Sequence, residues 1–268
     1  MALDLAILSG AGALPPDLAR AYPDALYITF TGINHSLPGR TEDHSFERLG
    51  KLFAVLKERG IRRVVMAGSM YRPALNPENF DAFMRQISPQ LVAALQLGDD
   101  GLLRFVINLF ESHGFTVCGA HELLPEMTAK AGILSQVVPQ SKHHEDIKKG
   151  RALLGLLSDA DIGQSTVFEN GLCLGIETLQ GTDALLRFVG QTPSHLRRGQ
   201  GGVLIKTPKS GQDLRVDMPA IGPDTIRAVQ AAGLAGLAID AGRVLLLEPE
   251  QTRALVAQFG LFLIAQEI

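Results

Sequence analysis

Absences narrow the field first in these 268 residues. No apolar run approaches the roughly twenty residues needed to cross a bilayer, so no membrane span is expected. The opening Met-Ala-Leu-Asp-Leu-Ala-Ile-Leu has no basic segment and runs straight into a glycine loop. It predicts a first β-strand, not an export signal, and with it a soluble cytoplasmic protein. The formal charge is −3, with no stripe of arginine and lysine interleaved with aromatics, which argues against a nucleic-acid surface. Only two cysteines are present, Cys118 and Cys173, both inside apolar runs; buried, reduced thiols are expected. There is no Gly-x-Ser-x-Gly elbow and no Gly-Lys-Ser/Thr phosphate loop. Gly32-Ile-Asn-His35 lacks the Asp-x-His pair that would start a binuclear metal cluster. His35, His44, His143 and His144 have no acid or cysteine at ligand spacing.

The residues present describe a globular chain, 46% apolar and 20% charged. The first half alternates strands (residues 3–8, 25–30, 63–67 and 115–118) with helices (17–21, 46–59, 80–87, 89–97 and 100–113). This pattern predicts a parallel sheet with right-handed crossovers. Ligands bind such sheets beyond the carboxyl ends of the strands, where Gly10-Ala-Gly12 and Gly68-Ser-Met70 fall. Regular pattern lapses over residues 126–141, and a boundary is placed near 134. The expected fold class is α/β in two domains with the site between them: a Rossmann-like N-terminal domain, 1–134, and a C-terminal α/β catalytic domain, 135–268. In the second half a hairpin is expected over 165–168 and 172–176, turned at Glu169-Asn-Gly171. Further strands are expected at 203–206, 237–240, 243–247 and 261–264, and helices at 183–189, 223–232 and 249–259.

Several stretches carry chemistry. Gly10-Ala-Gly-Ala-Leu-Pro15 follows a strand and opens a helix, but Pro15 stands where a dinucleotide fold needs its third glycine. No acid closes the second strand to hold a ribose. A phosphate or sugar group is therefore expected at Gly10 and Gly12, and NAD is not. Ser69, Met70 and Arg72 end a buried strand, suited either to a nucleoside diphosphate or to bracing a loop. Helix starts at Asp99-Asp100 and Thr182-Asp183 follow glycines; they are caps, or cradles for phosphate. Asp161-Ile-Gly-Gln164 and Glu177 face a cleft or cap turns. The densest stretch is Lys206-Thr-Pro-Lys-Ser-Gly-Gln-Asp-Leu-Arg-Val-Asp217. If residues 213–218 are extended, Asp213, Arg215 and Asp217 share one face. Carboxylates beside the fixed cations Lys206, Lys209 and Arg215, with Gln212 among them, suit phosphoryl transfer. The alternative is a solvated edge with paired charges.

Taken in order, these motifs resemble the UDP-2,3-diacylglucosamine pyrophosphatases of the LpxI type along essentially the whole chain. The resemblance rests on Gly10-Ala-Gly-Ala-Leu-Pro15, Ala67-Gly-Ser-Met-Tyr-Arg-Pro73, Gly98-Asp-Asp-Gly-Leu-Leu-Arg104 and Gly119-Ala-His-Glu-Leu-Leu124. It continues through Gly181-Thr-Asp-Ala-Leu-Leu-Arg187, the 206–217 run, Pro219-Ala-Ile-Gly-Pro-Asp-Thr-Ile226 and Ala232-Gly-Leu-Ala-Gly236. It implies hydrolysis of UDP-2,3-diacylglucosamine to UMP and 2,3-diacylglucosamine 1-phosphate (lipid X), a cytoplasmic step of lipid A biosynthesis. A divalent cation, Mg²⁺, is implied, as is transient contact with the inner membrane through the lipid substrate. The family's catalytic aspartate falls on Asp217, which binds the metal or orients the attacking water. Lys206, Lys209 or Arg215, with Asp213 beside them, would offset pyrophosphate charge. Substrate contacts are expected from Gly10, Gly12, Ser69, Met70, Arg72, Asp99, Asp100, Gln164, Glu177, Thr182, Asp183 and Gln212. The competing readings are another UDP-sugar enzyme, such as a glycosyltransferase, and a non-catalytic lipid- or nucleotide-binding regulator.

Overall fold

A computed structural model of the chain describes residues 4–71, 74–197 and 201–267. The expected α/β class is what it shows, in two compact units. One runs up to Pro125 and takes in Asp213–Asp217; the other comprises Glu126–Gln212 and the chain from Met218 onward. The division thus falls at Pro125 instead of 134, and five residues of the later sequence group with the first unit.

In the first unit the order is β1 (Leu5–Ser9), α1 (Leu14–Ala21), β2 (Leu26–Phe30), β3 (Glu42–His44), α2 (Leu49–Glu58) and β4 (Arg63–Ala67). Then come α3 (Ala82–Gln96), α4 (Gly98–Ser112), β5 (Thr116–Cys118) and the short α5 (Ala120–Leu123). The five strands are parallel, in the order β3-β2-β1-β4-β5. Continuous apolar runs make β1 and β4 central, because a parallel sheet is covered on both faces. Leu52, Phe53 and Leu56 of α2 pack with Ile28, Val64 and Phe110 in one core. α3 runs unbroken through Pro89, where two helices were expected. Its start is set by Asp81, whose carboxylate accepts from the amide of Met84 at 2.7 Å.

The second unit contains β6 (Gly132–Ile133), α6 (Ser141–Ser158), β7 (Ser165–Glu169), β8 (Leu172–Ile176), α7 (Gly181–Gly190) and β9 (Gly202–Lys206). It continues with β10 (Ala220–Ile221), α8 (Pro223–Ala231), β11 (Leu234–Asp240), β12 (Leu245–Leu246), α9 (Pro249–Gln258) and β13 (Phe262–Gln266). Its main sheet has the order β6-β13-β11-β9-β7-β8, with β13, β11 and β9 parallel and the outer strands antiparallel. Alternation divides each central strand between two cores. Leu204, Leu237 and Leu263 meet α7, α8 and α9, whereas Val203, Ile205, Ala238 and Phe262 meet α6. The β7–β8 turn lies where Asn170-Gly171 predicted it, with both residues at positive φ and both amides donating to the Asp146 carboxylate. Cys118 is buried, but Cys173 is exposed, a correction that follows from its place on edge strand β8. Among the described residues no helix is long and apolar enough to cross a membrane.

Candidate active site

Two loops meet at the carboxyl ends of β1 and β4. Ala11 and Ser69 pair through backbone hydrogen bonds of 3.0 and 2.8 Å. This approach needs glycine on both sides. A Cβ on Gly10 would stand 2.2 Å from the Ser69 carbonyl oxygen, and one on Gly68 2.5 Å from that of Ala11. Gly12, at φ +113°, donates its amide to the Ser36 hydroxyl at 3.0 Å. Met70 packs against Gly10, while Arg72, the expected diphosphate contact, lies outside the described residues.

In the second unit β9 delivers Lys206 to the carboxyl end of the sheet, where the side chain is only 6% exposed. Its ammonium donates to Thr182 Oγ1 at 2.6 Å. Thr182, in the first turn of α7, donates in turn to Glu177 Oε2 at 2.7 Å, and Ser165 Oγ lies 3.3 Å from the same hydroxyl. A buried cation and a buried carboxylate are thus joined through one threonine, which answers the cost of burying either alone. Gln164, just before β7, accepts the Thr207 amide on its carbonyl at 2.9 Å, and its side-chain Oε1 is buried without a partner among the described residues. Gly163 is held against Glu177: a Cβ there would lie 2.2 Å from the Glu177 carbonyl oxygen. Lysine, threonine and an open amide acceptor thus gather beside the start of α7.

After Lys206 the chain is strapped down. Lys209 pairs with Asp161, Gln212 Oε1 accepts the Lys209 amide at 2.8 Å, and the Ser210 amide donates to Ser158. Gln212, buried in this turn, shapes the loop. Residues 213–218 are not extended. Asp213 starts a tight turn, its carbonyl accepting from the amides of Val216 (3.3 Å) and Asp217 (3.1 Å) and its carboxylate from that of Arg215 (3.1 Å). Aspartate favours this local capping over a strand. The expected shared face of Asp213, Arg215 and Asp217 is therefore lost. Arg215 instead grips the Asp213 carboxylate through Nε and Nη2, at 2.9 and 2.7 Å, and reaches Glu111 of α4 at 2.6 Å through Nη1. The Arg215 hydrogen bonds hold the Asp213 carboxyl below its ordinary value, and the same bonds push the guanidinium pKa upward.

Asp100 pairs with Arg104 at 2.8 Å on α4, whose first turn also carries Asp99. Asp183 is exposed in the first turn of α7. A cavity of about 360 Å³ at the edge of the first sheet, lined by Thr31, Asp43, Arg48 and Lys51 among others, contains none of the expected residues. Ser165, Ser36 and Glu111 escaped sequence reading. Ser165 could have been found as the neighbour of Gln164, but nothing local ties Glu111 to an arginine 104 positions away. Among the described residues no three acid, histidine or cysteine side chains converge to hold a metal. That donor set fits no closed protein cage. A lone carboxylate such as Asp217 would hold a divalent cation only together with ligands that the protein does not supply.

The sequence profile of the LpxI N-terminal domain matches residues 4–127, and that of the LpxI C-terminal domain matches residues 130–264. A curated relative from Caulobacter vibrioides, UDP-2,3-diacylglucosamine pyrophosphatase LpxI, is 38% identical over 271 residues, covering 97% of this chain and 96% of its own length.

Proposed function

This chain belongs to the LpxI family, and on that premise we propose that it hydrolyses UDP-2,3-diacylglucosamine to UMP and 2,3-diacylglucosamine 1-phosphate. The observation that carries the reading is 38% identity, over nearly the full length of both chains, with a relative bearing that activity in its name. The local geometry suits it. Asp217 orients a water toward the phosphorus nearer the sugar. The water oxygen bonds to that phosphorus, the bond from it to the bridging oxygen breaks, and UMP leaves with the bridging oxygen. A phosphate monoester is a good leaving group at neutral pH, so positioning and charge neutralisation carry most of the acceleration. Lys206, kept in place by Thr182 and Glu177, supplies fixed positive charge. The glycine loop at Gly10 and Gly12, with Ser69, approaches the polar part of the substrate. Mg²⁺, when bound, adds positive charge on the pyrophosphate oxygens.

Hydrolysis in H₂¹⁸O tests the chemistry. The label should appear in the sugar 1-phosphate; label in UMP would place the attack on the other phosphorus. Asp217→Ala should lose nearly all turnover while still binding substrate, whereas turnover near the parental rate would remove Asp217 from its role.

A further inference from the structure

The sequence presents Asp213 and Arg215 as charges aimed at a pyrophosphate, and the structure gives them other work. All three guanidinium nitrogens of Arg215 are engaged, Nε and Nη2 on Asp213 and Nη1 on Glu111. Two carboxylates against one guanidinium leave no net positive charge there to offer a phosphate. The backbone of the turn is closed by Asp213, so the Asp217 amide has its acceptor and its Cα a fixed direction. Val216, just before Asp217 in sequence, packs against the core of the first unit, to which Phe110 and Val117 belong. Gly119 at the end of β5 leaves room for the turn: a Cβ there would come within 3.3 Å of the Arg215 Cα and 2.4 Å of the His121 ring.

The chain on either side is tied elsewhere. Residues 207–212 are fastened within the second unit through the Thr207–Gln164, Ser210–Ser158 and Lys209–Asp161 contacts. Beyond the turn, Pro219 accepts the Leu245 amide at 2.7 Å and β10 pairs with β12. Only residues 213–217 belong to the first unit. A five-residue excursion has little local structure to hold it, and the Asp213–Arg215–Glu111 clamp grips it to α4, with Val216 as the apolar foot.

We propose that Arg215 and Glu111 are positioning residues that fix the turn carrying Asp217 onto the first unit, and that Arg215 does not contact the substrate. This rests on the pyrophosphatase reading, in which Asp217 orients the water. The clamp acts on Asp217 through the turn, so loosening it should slow the reaction more than it weakens binding. Near-attack geometry is steep: a displacement of about 1 Å costs on the order of a hundredfold in rate.

The test compares the parent with Glu111→Gln, Glu111→Asp and Arg215→Gln. UMP release from UDP-2,3-diacylglucosamine is measured alongside hydrogen exchange of the amides of Val216 and Asp217. The expected result is a fall in kcat of about tenfold for Glu111→Gln and about a hundredfold for Arg215→Gln. KM should stay within about twofold, exchange should be faster in both, and Glu111→Asp should recover part of the loss. Three results would overturn the proposal: raised KM with unchanged kcat in Arg215→Gln, which would put the guanidinium on the substrate; faster exchange with unchanged kcat; or no change in either readout. Should a variant fail to fold, Gly119→Val perturbs the same turn sterically and must show the same kcat loss and faster exchange. An inactive parent would reject the pyrophosphatase reading itself, a result distinct from active variants that match the parent.

Discussion

At the residue scale the decisive side chain of the second unit is Thr182. It accepts from Lys206 and donates to Glu177, so its hydroxyl joins two buried charges of opposite sign. Thr182→Val keeps the shape and deletes the link. It should destabilise the protein by about 1–3 kcal/mol and reduce substrate turnover, while Thr182→Ser keeps both; urea denaturation and UMP release check the pair. Lys206, Thr182, Glu177 and Gln164 were each legible in sequence as candidates, because polar residues at strand ends and helix starts stand out against apolar runs. Their convergence was not legible, since it depends on β7 and β9 pairing Ser165 with Lys206. Asp213 and Arg215 mislead in sequence for the opposite reason. An alternating pattern resembles a strand, yet an aspartate that captures its own downstream amides closes a turn.

At the element scale the first sheet is largely legible, because long apolar strands and helical spacing recur there. The short pieces are not. β3 (Glu-Asp-His) has no apolar alternation and exists only because β2 offers it an edge, and β10 and β12 have two residues each. Pro89 reads as a helix break, while the α3 helix continues through it. Both the glycine loop and Gly68-Ser-Met70 were placed at the strands' carboxyl ends, but the backbone pairing between them was not legible: Gly10 is glycine because the Ser69 carbonyl lies where its Cβ would be. Gly10→Ala should therefore force the β1 and β4 loops apart, at a cost of about 1–3 kcal/mol, and raise KM. An unchanged melting temperature together with an unchanged KM would show that the two loops need not pair.

At the scale of the whole molecule, the two units carry separate acid sensitivities. Burial lowers the pKa of His44 in the first unit and His143 in the second below the ordinary 6.5. A depressed histidine keeps its contribution to stability above 6.5. As the pH drops below that value the unfolded chain takes up the proton first, and stability falls until the folded pKa is passed. The melting temperature should thus decline from pH 7.5 toward 5.5, ahead of any loss from Asp213, whose window opens only below 3.8. His143 accepts the Gln140 amide at the start of α6, a bond that glutamine at the same position can also accept. His143→Gln should flatten the decline in the second unit's transition, as calorimetry across that range can check; an unaltered slope would remove His143 as its source.

The central claim is a pyrophosphatase whose catalytic aspartate sits on a clamped turn, and release of UMP tests it most directly. Purified protein is incubated with UDP-2,3-diacylglucosamine and Mg²⁺ in detergent, with no acceptor, beside the same reaction in EDTA and the Asp217→Ala variant. The account predicts stoichiometric UMP and 2,3-diacylglucosamine 1-phosphate, abolished by EDTA and by the substitution. Intact substrate, under conditions where an established pyrophosphatase of this specificity turns over, would contradict it.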